Sequence, residues 1–231
     1  MLMKRGKLGL PEYFWGDWVR NSRDNYLKAI FECSQITGTT RNKAISDELH
    51  IAPGSVSEAI ANLVTAKLIT RHIYGTVALT PYGFATATVL MRHYYLLEVW
   101  LDRMLHYPLP LIPELAWNMG DIDEDFAAQL DIYLGHPELN PFGHPIMPLK
   151  LEEPAFNRLI DVKADSTFTI VSFVESATML NYLDKLGIPL NAALDVVQTT
   201  PLVCEAEATG KQYILDATMA QDIFVHTPIC V

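Results

Sequence analysis

Between residues 41 and 72 stand side chains of the types that hold a polyanion or read its edges: Arg41, Lys43, Ser55, Ser57, Glu58, Asn62, Lys67, Arg71 and His72. Serine hydroxyls donate to phosphate oxygens, as do the exposed backbone N–H groups that open a helix. A carboxylate such as Glu58 accepts from cytosine N4, and Asn62 suits an adenine edge or a phosphate. The cations add attraction that is independent of base sequence. Lys4, Arg5 and Lys7 precede Tyr13, Phe14, Trp15 and Trp18. That makes a basic, aromatic arm suited either to tracking a polyanion or to packing back on the protein.

Catalytic chemistry is harder to find. The seven histidines are scattered, with no nucleophile–base pair, phosphate loop or HExxH spacing, so the expectation is not an enzyme. His136 and His144 lie in a Pro-rich loop, where turn and hydrogen-bonding roles are expected of them.

The elements that must position the polyanion-reading set follow from periodicity. Tyr26, Leu27, Ile30, Phe31 and Ser34 predict a helix from Ser22 that ends at Gly38. Thr40 is expected to cap a second helix, RNKAISDEL, with Ala44, Ile45 and Leu49 inward. After the break HIAPG, the apolar Val56, Ile60, Leu63 and Val64 predict a third helix to about Lys67. LITRHI and TVALT form a two-stranded ribbon joined at Tyr74 and Gly75, and Thr80–Pro81 reads as N-cap and N1 of a long helix to about His106. This order is that of a winged helix-turn-helix. On pattern alone, a plain helical bundle with a hairpin is the alternative.

Beyond it, LIPELAWNMGD predicts a short helix opened by Pro113 and Glu114, and Asp121 with Glu124 a capping box for the next. LGHPELNPFGHPIMP reads as a structured loop leading to a linker. From Leu159 the texture turns to β-type runs, FTIVSFV, LDVVQTT, PLVCEAEA and KQYILD, with one helical piece, SATMLNYLDKLG, between the first two. The boundaries expected are an N-terminal extension over 1–21, a winged helix-turn-helix over 22–80, a helical region over 81–148, a linker over 149–158, and a small β-barrel over 159–231. The fold class is therefore mainly α followed by a small barrel.

Composition sets the outer limits. Of 231 residues, 50% are hydrophobic and 19% charged, which fits a globular chain. No apolar run has the length of a membrane span and no signal peptide is read at the start, so no membrane partner is expected. Three cysteines without a CxxC fit a reducing cytoplasm and argue against a structural zinc site. The net charge of −10 divides unevenly: residues 1–92 hold eleven Lys+Arg against seven Asp+Glu, and the remainder six against twenty. Only the first part suits a polyanion.

NYLKAIFE, the helix-turn-helix, GTVALTPYG, MRHYYLLEVWL and GHPELNPFGHPIMP together resemble the diphtheria toxin repressor and manganese transport regulator family, from about Arg23 to Pro148. Leu159 to His226, with LDKLGIPLNAALDVV, resembles the SH3-like domain shared with ferrous-iron transport accessory proteins. The resemblance implies that the helical region over 81–148 is for dimerisation and that the barrel over 159–231 is SH3-like. It also implies a homodimeric, metal-activated repressor that reads a palindromic DNA operator. Mn or Fe would sit between the first helix, the long helix and the short one.

The resemblance also says where ligands would stand, and this chain departs from it. Asn25 stands where the family offers Met or Asp, and Lys28 where manganese-type members add Glu. A His and Glu pair on the long helix becomes Tyr94 and Glu98. The short helix carries Ala116, Met119 and Gly120 in place of Cys or Glu, Glu and His, and Ile112 replaces another His. Glu98 remains, with Glu175 in the second domain as a further remnant candidate. Such a set is poor for Mn²⁺ or Fe²⁺, which favour carboxylate and imidazole. His93 is one residue off, about 100° around the helix, and is expected at the surface or a dimer edge.

The family cavity is therefore expected to be filled by Tyr94, Trp117 and Met119, leaving no response to metal. Control would come from concentration, or from an apolar or redox ligand near Met91, Trp100, Trp117 and Met119. Cys33 is expected to be a buried helix residue. A dimeric ligand-binding or scaffold protein that keeps the fold without specific DNA binding is the alternative function.

Overall fold

The computed structural model describes residues 23–34, 38–120, 122–146, 157–174, 177–188, 193–199, 201–206 and 209–226. They form two compact units: residues through Tyr94 with Trp117–Glu124, and Tyr95–Ala116 with the chain from Asp125 onward.

The first unit opens with α1 (Arg23–Ser34), a two-residue strand β1 (Thr40–Arg41), α2 (Asn42–Leu49) and α3 (Pro53–Thr65). Pro53 stands at the start of α3, where its missing N–H costs nothing. Val56, Ile60 and Leu63 then fall on one face and are at most 2% exposed. α3 packs on α2 and α1, where Ile45, Leu49, Leu27 and Ile30 are buried as well, each such burial contributing about 1.5–3 kcal/mol. The turn between α2 and α3 is closed by His50 at φ 54 and by Ser46, whose Oγ donates to the Ile51 carbonyl at 2.7 Å.

The wing is β2 (Ile69–Arg71), a 3-10 turn over Ile73–Gly75, and β3 (Thr76–Leu79). β1 adds to it: the sheet order is β1-β3-β2, with Thr40 opposite Val77. Thr40 is thus a buried strand residue, 4% exposed, and not the expected cap; Arg41 is the N-cap of α2 and makes no side-chain bond there. A cap must face open backbone N–H groups, and the β3 ladder claims Thr40 first.

Thr80 does act as expected at the start of α4 (Pro81–Arg103). Its hydroxyl accepts from Gly83 N at 2.9 Å and donates to the Lys67 carbonyl at 2.8 Å. The boundary between the units falls within α4, after Tyr94. α5 (Ile112–Asn118) follows a 3-10 turn at Leu109–Leu111, and α6 runs Glu124–Tyr133. The expected capping residue Asp121 lies outside the described residues.

In the second unit, β4 (Asn157–Arg158), β5 (Thr167–Phe173), α7 (Ala177–Leu186), β6 (Ala193–Thr199), β7 (Leu202–Ala206), β8 (Gln212–Leu215), α8 (Ala217–Ala220) and β9 (Ile223–His226) follow. The strands pair antiparallel in the order β4-β9-β5-β6-β7-β8. Alternation drives this: Phe168, Ile170, Leu194, Val196, Cys204 and Tyr213 point inward, while intervening residues are half-buried or exposed. No helix among the described residues is long and apolar enough to cross a membrane.

The Pro-rich loop is tied to β5 by buried contacts. Gly143, at φ +87, lies so close to the Val171 backbone that a Cβ there would sit 1.9 Å from its carbonyl oxygen. The His144 ring stacks on Tyr95 at 5.7 Å and its Nε2 donates to the Phe173 carbonyl at 3.1 Å. Burial pushes the imidazole pKa down to about 4, so it is held neutral. His136 pairs with Asp131 at 3.1 Å.

Candidate nucleic-acid interface and metal centre

The side chains expected to read a polyanion fall into two groups on α3. Ser55, Glu58 and Asn62 recur at three and four residues and share one stripe, as helical spacing requires. They border a cavity of about 350 Å³ closed on its other side by Arg23 and Tyr26 of α1. Burial and then the nearby Glu58 carboxylate raise the Tyr26 pKa, which keeps the phenol neutral. Glu58 and Asn62 are exposed and Ser55 is half-buried.

Ser57 lies off this stripe. Its hydroxyl donates to the Pro53 carbonyl at 3.1 Å and accepts from Asn42 Nδ2 at 3.3 Å. Without DNA its proton closes the first turn of α3, and its oxygen ties that turn to α2.

The cations are exposed but not all uncompensated. Lys43 pairs with Asp47 at 2.7 Å on the surface of α2, which blunts its expected role. Arg41, Lys67 and Arg71 are exposed around α3 and the wing, and the His72 ring shares a hydrogen bond with Thr70 at 3.2 Å. Lys67 takes a left-handed φ of 59, one residue past the Ala66 C-cap of α3. Lys4, Arg5 and Lys7 lie outside the described residues.

The positions where a metal would be expected are filled in a different manner. Asn25 and Lys28, both 2% exposed, are buried on α1. Tyr94, 4% exposed, meets the edge of the Trp117 ring at 5.5 Å and 75°. The Lys28 ammonium lies 4.6 Å from the centre of that same indole. Met119 is 43% exposed, so it does not help fill this space as expected; the lysine takes that part. Ala116 is buried, and Gly120 takes a φ of 78 after the helix.

Of the two carboxylate remnants, the structure describes Glu98 alone. Glu98, fully buried, accepts from Asn140 Nδ2 at 2.7 Å, and Asn140 Oδ1 in turn accepts from Phe142 N and His144 N. Glu98 therefore anchors the Pro-rich loop. Glu175 lies outside the described residues. His93 is not a surface residue: it is 6% exposed, with Nε2 2.9 Å from Glu124 Oε2, while Arg92 holds the other oxygen at 3.2 Å. No group of three His, Cys, Asp or Glu that could hold a metal ion occurs among the described residues. An amide, an ammonium, a phenol and an indole do not fit Mn²⁺ or Fe²⁺.

Cys33 is half-buried on α1, less enclosed than expected. Burial, aided by Glu48 and Glu32, pushes its thiol up to about 12, far from the reactive thiolate.

Sequence reasoning named Lys28 only as a departure and missed that its charge is inside. The available signal was α1 itself, where every residue from Asn25 to Phe31 is buried. A helix enclosed on all sides leaves no outer face for a lysine at its middle.

Residues 80–148 match the model of the iron dependent repressor, metal binding and dimerisation domain, and residues 157–227 match the FeoA domain. The HTH-type transcriptional regulator MntR of Listeria innocua is 25% identical over 131 residues, covering 52% of this chain and 92% of that protein. MntR of Listeria monocytogenes is 26% identical over 121 residues, 48% of this chain and 85% of its own. Among solved structures, IdeR of T. acidophilum shares the fold at a TM-score of 0.78 and 23% identity, over 89% of this chain and 98% of that one. A manganese-dependent transcriptional repressor in complex with manganese gives 0.79 and 24%, over 89% and 100%. Those two domains, in that order behind a winged helix-turn-helix, make the chain similar to the diphtheria toxin repressor and manganese transport regulator family.

Proposed function

We propose that this chain is a DNA-binding transcriptional regulator, a repressor, that binds a palindromic operator as a homodimer without calling on Mn²⁺ or Fe²⁺. The observation that carries the reading is α3: a helix opened by a proline, with an exposed outer face, set between α2 and a wing that carries Arg71 and His72. That is the arrangement that places a recognition helix in the major groove. Its relatives are named as transcriptional regulators. A mobility-shift experiment with the DNA upstream of its own gene tests it. The expected result is a specific shift of equal strength in chelator and in Mn²⁺, and a protein that shifts no DNA in either condition sinks the reading. With Arg41, Lys67 and Arg71 as the exposed cations around α3 and the wing among the described residues, a log–log salt slope of about −5 per dimer is expected.

Self-association is supported by apolar side chains on α6 that face water in the single chain: Phe126 at 52%, Ile132 at 58% and Tyr133 at 68% exposed. They lie within the matched dimerisation domain. Sedimentation is expected to give a dimer at micromolar concentration, and Phe126→Asp with Tyr133→Asp a monomer. A wild-type monomer, or a dimer untouched by both substitutions, removes this face from the proposal.

A further inference from the structure

We propose that the Lys28 ammonium is this chain's own resident cation, held against Trp117 where a metal-activated relative binds a divalent ion, so that the first helix is tied to the short helix without metal. The inference rests on the family similarity and deepens the metal-independent reading, but it requires no DNA.

A lysine buried to 2% exposure on a helix of the first unit is unusual, since an ammonium leaves water only where other groups replace its hydration. Trp117 supplies part of that replacement. Its π face carries partial negative charge, and the nitrogen lies 4.6 Å from the ring centre, within the range of a cation–π contact. The ring is fixed in turn by the edge contact with Tyr94, so lysine, indole and phenol occupy the space together. The contact joins α1 to α5, and α5 lies within the domain matched as metal-binding.

Charge then decides the matter. A divalent ion placed among these groups would face an ammonium at short range in a medium of low dielectric, where repulsion is steep. Among the described residues it would find no group of three His, Cys, Asp or Glu to offset that. The one histidine near in sequence, His93, is engaged by Glu124 at 2.9 Å. A metal in this place and the lysine are alternatives, and the sequence has chosen the lysine. A tethered cation has no dissociation constant, so the tie between α1 and α5 does not depend on any ion in solution.

The full-length protein provides the test, with wild type, Lys28→Met and Lys28→Arg compared. Calorimetric titration of the wild type with Mn²⁺ and with Fe²⁺ is expected to show no binding up to millimolar metal. Its melting temperature is expected to be the same in chelator and in Mn²⁺. Lys28→Met keeps the length of the side chain and removes the charge, and should lower amide-exchange protection along α1 at least tenfold. Lys28→Arg, which restores a cation able to stack on indole, should recover most of that protection. Stoichiometric micromolar binding of either metal by the wild type overturns the proposal, as does wild-type protection of α1 in Lys28→Met. If the methionine variant fails to fold, the wild-type titration still decides. None of these readouts involves an operator, so a failure to shift DNA would sink the functional reading and leave this one standing.

Discussion

Gly143→Ala is expected to cost the second unit about 4 kcal/mol or more and to lower its melting temperature by about 15 °C or more. Two terms add. The backbone at φ +87 is one that a residue with a Cβ adopts only at a cost of about 1–2 kcal/mol. The new methyl would also stand 1.9 Å from the Val171 carbonyl oxygen, and that oxygen belongs to a strand and cannot swing aside. The loop must lift off β5, and His144 and Phe142 with it. Gly135→Ala is the control. It shares the positive φ, at +75, but has nothing within 4 Å of the added carbon, so about 1–2 kcal/mol is expected. Calorimetric scans of the two variants beside the wild type measure the difference, and equal losses would show that the close approach to Val171 is not what makes Gly143 necessary.

The second large effect is expected with pH. His144 is neutral in the folded protein, its pKa lowered from 6.5 to about 4 by burial, partly opposed by the hydrogen bond to Phe173. Below pH 6.5 the unfolded chain takes up a proton at this side chain while the folded chain does not until about pH 4. The unfolded state therefore binds more protons across that window, and stability falls as the pH is lowered through it. The loss from this one group is about 3 kcal/mol between pH 6.5 and 4, and the contribution is level above 6.5. Urea titrations at pH 7, 5.5 and 4 on wild type and His144→Gln measure it. The glutamine variant should be weaker at pH 7 but should lose about 3 kcal/mol less on acidification. Parallel profiles for the two proteins would assign the acid sensitivity elsewhere.

Most of what shapes the first unit was legible in local pattern. The Val56, Ile60, Leu63 stripe identifies α3, and the Thr80–Pro81 pair marks the start of α4 because a hydroxyl and a ring with no N–H meet what that turn needs. The β-type runs located β5 to β8 of the second unit, but β4 and β9, which pair with each other, were not read. What failed was anything settled by a partner distant in sequence. Thr40 looks like a cap until β3 pairs with it, and His93 looks like a surface residue until Glu124 arrives from thirty-one positions away. The candidate interface shows the same division. Side-chain type named Ser55, Ser57, Glu58 and Asn62 together, but could not show that Asn42, fifteen residues away, takes up Ser57. Lys28 is the most instructive residue: periodicity reports which faces are apolar, and it does not say that a charged residue will be carried inside with them.

Glu98 bears on how much a single retained letter can say. Removing its carboxylate would take from the Asn140 amide one of its acceptors, and Asn140 is what satisfies the Phe142 and His144 backbone N–H groups. The fold needs an acceptor there, whether or not an ion is near it. Its presence alone therefore does not identify a metal pair, because the bond to Asn140 gives the same residue a second reason to be there.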